Sequence, residues 1–443
     1  MRTALSLSIG SALWLSFAAA PPGSAATVVV SKNGPLQTVQ AGIDAAFAGD
    51  TVVIKAGTYF GNATIGSAKT GLTLKGSGKV VLDARGPGGA ELGPGITVAA
   101  TGVTIRGLTI RNAAALGGVP GDGIRIDAVA CVVSDCIVTG CEDDGVEARS
   151  ADCAILDCAF VSNNRGVRGQ SSDRLRIVGC TFRGNDNSID LVDSDDVLVQ
   201  EASIKDSGVG DVMRSATSNR LTVRKVKLSD AGQIGDFSGD DLLIEDVVGR
   251  RIGGGVRISG NTAIVRDLDL VDLHDACAGV DLRAPNSTIS NVRCVDASTH
   301  AIFVDELATH CQIDDVVAIR CGTIDDPPFL VEGDDASLTD CSIVRCPTDG
   351  FSIIAARVHL TRCVARQCAF DGFDVPNDAN EAVLEDCVAT QCLGEGIEIS
   401  SLDVSLIRCI AKQNRIDFAN DGVLLLADVD FVTGGATFQP EID

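Results

Sequence analysis

Gly123-Ile124-Arg125-Ile126, Gly145-Val146-Glu147-Ala148 and Gly166-Val167-Arg168-Gly169 repeat one motif, glycine followed by apolar, polar, apolar, at intervals of 21 and 22 residues. The motif returns as Gly255-Val-Arg-Ile, Gly279-Val-Asp-Leu, Gly350-Phe-Ser-Ile, Gly372-Phe-Asp-Val and Gly396-Ile-Glu-Ile. Alternation over four or five residues makes a short strand with one buried face. Each unit carries two further short apolar runs, as in Ala382-Val-Leu-Glu and Cys387-Val-Ala. Three short strands per unit, repeated at a fixed period, predict a solenoid of stacked coils in which each coil packs only on its neighbours.

Cysteine gives independent support. Cys136, Cys158 and Cys180 recur at 22 residues, and Cys341, Cys363, Cys387 and Cys409 at 22 to 24. A second series runs Cys346, Cys368, Cys392 and then Asn414, and Cys141, Asn163 and Asn185 repeat the same exchange of Cys for Asn. In a parallel stack, equivalent residues of neighbouring coils lie about 4.8 Å apart, so these series are ladders of small inward side chains.

Composition bounds the rest. The chain has 443 residues, a formal charge of −24 and 4% aromatics, with Tyr59 its only tyrosine and Trp14 its only tryptophan. That charge disfavours nucleic acid and anionic membranes, which require clustered Lys and Arg. Arg2, the apolar run from Ala4 to Ala20 and Ser24-Ala25-Ala26 read as a signal peptide over residues 1–26, so a secreted or periplasmic location is expected. No later apolar stretch is long enough to span a bilayer. Residues 27–443 are then one domain.

Thr38-Val-Gln-Ala-Gly-Ile-Asp-Ala-Ala, Gly49-Asp50-Thr-Val-Val-Ile and Ala56-Gly57-Thr58-Tyr59, continued by Gly71-Leu-Thr-Leu and Gly102-Val-Thr-Ile, resemble the entry to the pectate-lyase-like superfamily of right-handed parallel β-helices. The resemblance implies an all-β fold with three strands per coil of about 22 residues. Leu36 to Phe47 reads by itself as a short amphipathic helix with Leu36, Val39, Ile43 and Phe47 on one face, and the resemblance implies that this helix, near 36–48, caps the first coil. The resemblance fixes the fold and leaves the chemistry open.

Seventeen cysteines in an exported chain allow two arrangements. Vertical neighbours are within disulfide reach, making Cys341–Cys363, Cys387–Cys409, Cys346–Cys368 and Cys131–Cys153 candidates. The alternative is a reduced, buried ladder, since buried Cys packs as a small hydrophobe.

Superfamily enzymes build their groove along the strand that begins here with glycine. Its outward residues read Arg125, Glu147, Arg168 and Asp190, with Asp127, Arg149 and Gln170 beside them. A lyase or uronate epimerase would use Glu147 and Asp190 to hold calcium, Arg125 and Arg149 to bind substrate, and Arg168 as the base. The competing reading is that alternating charges on adjacent strands pair with each other. Asp143-Asp144 resembles the paired aspartates of polygalacturonase-like members. The Asp-Gly step recurs at Asp122, Asp349 and Asp371, however, which fits turn chemistry, and the Gly-His-Gly and Arg-x-Lys signatures are missing.

His300 and His310 lie near Asp305 and Glu306 in a coil that breaks the glycine rule, and irregular coils are expected over 203–254 and 311–328. Scarce aromatics weigh against a general glycosidase; Phe351 and Phe373 fall on inward positions. The leading expectation is an extracellular binding or structural module with a polysaccharide as possible partner. The runner-up is the calcium-dependent polyuronate lyase or epimerase. A copper-delivery β-helix ranks last, because Met213 is the sole methionine after the first residue.

Overall fold

The computed structural model describes residues 25–86, 88–208, 210–275, 277–420, 423–427 and 439–440. The expected signal peptide therefore lies outside the described residues up to position 24. The rest winds as a parallel β-solenoid. In one coil, the strands Asp144–Ala148, Ala154–Leu156 and Ala159–Val161 follow in turn. Each pairs in parallel with its equivalent one coil later: Glu147 with Arg168, Ala154 with Arg176, and Ala159 with Thr181. The glycine-led strands stack into one sheet, called here the second sheet, and the other two strands of every coil stack into one long sheet.

Corners are where the sequence has to work hardest. Each coil turns three times, and in the coil above, Asp152, Asp157 and Ser162 hold the turns at φ 61°, 51° and 54°. L-residues resist this left-handed region, and Asp and Asn tolerate it best. Down one corner the occupants run Asp152, Arg174, Asp196, Arg220, Asp241, all with positive φ. The arginines are held by forked hydrogen bonds, Arg174 donating to Asp152 at 2.6 and 2.8 Å and Arg220 to Asp196 at 2.5 and 2.9 Å. These exposed pairs run from coil to coil along the corner.

The interior is a set of one-residue columns. Cys136, Cys158 and Cys180 continue through Ala202, Val226, Val247, Leu268, Val292 and Val316 into Cys341, Cys363, Cys387 and Cys409. The two cysteine series are therefore one column, interrupted by Ala202 and then by larger apolar residues. Phe160 stacks on Phe182 at 5.1 Å, and Phe351 on Phe373 at 4.9 Å. Glycine opens the motif partly to admit such rings: a Cβ on Gly145 would stand 2.6 Å from Phe160, and one on Gly166 2.5 Å from Phe182. Asn163 and Asn185 are satisfied within their column, Asn163 Nδ2 donating to the Val138 carbonyl at 3.1 Å and Asn185 Nδ2 to that of Phe160 at 3.1 Å.

All seventeen cysteines are free thiols. The inter-coil disulfides Cys341–Cys363, Cys387–Cys409, Cys346–Cys368 and Cys131–Cys153 are not formed. All of these sulfhydryls but that of Cys368 lie against main-chain carbonyls, as Cys409 Sγ does at 3.2 Å from Leu384 O. Burial pushes the Cys141 thiol up to about 12.

The expected cap helix is present but shorter. The cap helix spans only Val39–Ala45: Thr38 Oγ1 accepts from Ala41 N at 3.1 Å, and Ala46 is already extended. Val39 and Ile43 are buried and Leu36 packs on the core, but Phe47 is 78% exposed and lies off the buried face. Residues 203–254, where irregular coils are expected, keep the stack among the described residues but wind differently. The second sheet continues there from Ile189 to Met213, Gly235 and Val256. Alongside it, Thr222–Ala231 and Leu242–Ile252 run as single long strands, with Lys225 and Asp246 keeping the left-handed corner. No helix among the described residues is long and apolar enough to cross a membrane.

Candidate functional site: the outer face of the second sheet

Because the motif alternates, its polar member points outward and its equivalents form a surface column. Coil by coil this reads Arg125, Glu147, Arg168, Asp190, Arg214, Asp236, Arg257, Asp281, then Phe303 and Leu330, then Ser352, Asp374 and Glu398. The face has three chemically distinct stretches.

The first is an alternating charge ladder. Arg257 and Arg283 grip Asp281 tightly, at 2.7 and 2.9 Å. Around Arg168 the rungs are loose: Arg125 to Glu147 is 3.8 Å, Arg168 to Glu147 3.9 Å, and Arg168 to Asp190 4.0 Å. Glu147 Oε2, Arg168 Nε and Asp190 Oδ1 are buried atoms without a hydrogen bond, although Asp190 Oδ1 has Arg214 Nε at 3.3 Å. In the adjoining column Asp144 meets Arg165 at 2.5 Å, while Asp122 Oδ2 is also unpartnered. Burial, then the Asp144 and Glu147 charges, push the Asp122 carboxyl up to about 8.

The residues expected from sequence do share this surface, with Arg149 Nη1 3.7 Å from Asp127 one column over. Glu147 and Asp190, however, stand two coils apart, roughly 9–10 Å, with Arg168 between them. Both face the Arg168 guanidinium, at 3.9 and 4.0 Å. The Asp-Gly steps act between coils: Asp122 Oδ1 accepts from Asp144 N at 3.3 Å, and Asp349 Oδ1 from Asp371 N at 2.8 Å.

The third stretch is acidic and was not singled out from sequence, although Asp374 and Glu398 occupy the same motif position as Glu147. Asp371, Glu395 and Glu398 bring one carboxylate oxygen each within 4.8 Å of the others. Burial, followed by hydrogen bonds shared with Glu395 and Glu398, pushes Asp371 up to about 9. Burial, then the Asp349 and Glu398 charges, raises Asp374 to about 6. Arg415 offsets part of this charge, 2.9 Å from Glu395.

The middle stretch carries Phe303 and Leu330, both half-buried, with His300 stacked on Phe303 at 5.5 Å. A cleft of about 620 Å³ lined by Glu201, Ser203, Lys225, Lys227 and Asp246 lies elsewhere, on the long sheet. Its charges are mixed in sign and it contains none of the unpartnered buried groups, so the outer face of the second sheet is the better candidate.

A family model described as right handed beta helix region matches residues 49–204, 94–265 and 278–431. No curated protein matches in sequence. Similar solved structures include an alginate lyase from Paenibacillus sp. str. FPU-7, at 16% identity over 58% of this chain and 99% of that one, TM-score 0.44. A pectate lyase is 14% identical over 68% of this chain and 77% of its own, TM-score 0.40. A pectin methylesterase from carrot is 14% identical over 60% and 82%, TM-score 0.34. These likenesses concern the fold alone. The register of the coils and the family match agree: the chain belongs to the right-handed β-helix family.

Proposed function

We propose that the chain is an exported, carbohydrate-directed binding module that takes an extended polysaccharide along the outer face of its second sheet. The observation that carries this reading is the loose centre of the charge ladder. Glu147, 4% exposed, keeps an unpartnered oxygen, and Asp190, 7% exposed, one held only by the 3.3 Å ion pair to Arg214, beside the unpartnered Arg168 Nε. Buried polar atoms require partners, and a hydroxyl both donates and accepts. Arg168, 27% exposed and held by no ion pair shorter than 3.9 Å, can swing aside for a run of sugar hydroxyls, which would then satisfy the carboxylates and the guanidinium together. The acidic composition and the sequence of residues 1–26 support export. The test is affinity electrophoresis over a panel of plant, algal and bacterial polysaccharides. Retardation of the intact chain, reduced by Arg168→Ala and by Glu147→Gln, is the expected result; free migration in every gel would overturn the reading.

A second reading, a calcium-dependent polyuronate lyase or epimerase, draws on Asp371, Glu395 and Glu398. Their hard oxygen donors fit calcium, and the proton that Asp371 otherwise retains is the sign of uncompensated charge. Calcium held there would neutralise a uronate carboxylate. Arg168 lies nine coils from Asp371 and ten from Glu395 and Glu398 in register, roughly 45 Å, so it and these carboxylates would meet different sugars. Ultraviolet-absorbing product from pectate or alginate with calcium, lost in Glu398→Gln, would favour this second reading over the first.

A further inference from the structure

Phe303 and Leu330 are the only apolar members of the outward column between Arg125 and Glu398. Nothing in the solenoid's packing requires them, because this position faces away from the core in every other coil. They sit on neighbouring coils and make one apolar patch, and polar groups border it on both sides. On one side stands His300, its ring centroid 5.5 Å from that of Phe303 and inclined by 24°. The Pro327 carbonyl, 2.6 Å from His300 Nδ1, can only accept, so Nδ1 carries the proton. His300 Nε2 is left 3.9 Å from Asp326. On the other side, one residue past each strand, lie Asp305 and Glu332, with Arg283 3.9 Å from Asp305. The connection from Gly322 to Pro328 reaches the first side through the contacts of Pro327 and Asp326 with His300, and Thr323 Oγ1 donates to Asp326 Oδ2 at 2.8 Å. Thr299 Oγ1, beside His300, is buried without a partner.

An apolar floor ringed by hydrogen-bond acceptors matches the two-sided chemistry of a sugar ring, whose C–H face is apolar and whose rim is hydroxyl. Charge narrows the class. Asp305, Asp326 and Glu332 border the patch, with Glu306 close enough to act on Glu332, against Arg283 and His300. A carboxylate on the ring would be repelled. We propose that Phe303 and Leu330 form a saccharide subsite for a ring that bears no negative group, a neutral or amino-substituted pyranose rather than a uronate. The inference rests on the polysaccharide-binding reading and sharpens it, since it sets the ligand class and a register along the face.

The experiment is isothermal titration of the intact chain and of Phe303→Ala and Phe303→Tyr with neutral oligosaccharides, amino-sugar oligosaccharides and oligogalacturonate. Loss of aromatic stacking should weaken neutral or amino-sugar binding about tenfold, and Phe303→Tyr should retain it within about threefold. Because the side chain is outward, circular dichroism of Phe303→Ala should match the parent; if that variant misfolds, Phe303→Tyr and Leu330→Ser carry the comparison. Unchanged affinity in Phe303→Ala would refute the subsite while leaving binding along the face intact. Tighter binding of oligogalacturonate than of any neutral or amino sugar would refute the ligand class. Failure to bind every saccharide would remove the underlying reading, and this inference with it.

Discussion

Replacing Asp371 with Asn should flatten the pH dependence of the coils around it. Asp371 is 8% exposed, and burial and shared hydrogen bonds with Glu395 and Glu398 lift its carboxyl from 3.8 to about 9. The folded chain therefore keeps a proton that the unfolded chain releases. A raised carboxyl is neutral in both states below pH 3.8, where its stability contribution is intact, and that contribution is lost as pH climbs through about 9. Each pH unit in that window lowers stability by about 1.4 kcal/mol, so pH 6 to 8 spans up to about 2.7 kcal/mol from this group. Asn keeps the Oδ1 acceptor for the Glu395 amide and removes the titration. A solenoid opens locally, so the assay is hydrogen exchange of peptides within 371–399, corrected for the intrinsic pH effect. Protection should fall from pH 6 to pH 8 in the parent and hold steady in Asp371→Asn. Added calcium at pH 8 should restore protection in the parent alone. Equal slopes in the two proteins would refute the assignment of the retained proton to Asp371.

Other perturbations probe the scaffold. Phe160→Ala, in the stacked aromatic column, should cost about 3–5 kcal/mol, read as a lowered thermal midpoint. Gly145→Ala drives a Cβ toward the Phe160 ring and the Gly166 carbonyl, so a loss of about 1–3 kcal/mol is expected. Arg174→Ala removes an exposed corner pair and should leave the midpoint unchanged, because screened surface pairs contribute little. Native chain treated with a thiol reagent should label Cys277, the one half-buried cysteine, ahead of the sixteen buried ones. Denaturation without reductant should then expose all seventeen; a smaller number would reveal disulfides.

How much of this was readable beforehand depended on whether a signal was periodic. The glycine motif and the cysteine series repeat at the coil length, so they report the stack directly and even give its register. Glu147, Arg168 and Asp190 were placed on one face by the same alternation. Other features depend on residues separated by whole coils. The convergence of Asp371, Glu395 and Glu398 requires knowing that an Asp-Gly step in one coil abuts a polar motif member in the next. Arg174 and Arg220 at left-handed corners contradict local preference, and only their forked bonds across coils explain them. Phe303 was hidden because Ala301-Ile-Phe-Val lacks the glycine that marks the strand's start, so its outward parity was not evident.

The central claim, that the outer face of the second sheet is a saccharide surface, is tested most directly by a hydrogen-exchange footprint with a bound oligosaccharide. The account predicts protection in peptides carrying 144–148, 165–170 and 187–192, extending to 302–332, with the long-sheet strands at 154–161 and 222–231 unchanged. Protection confined to the long sheet, or none at saturating ligand, would contradict it.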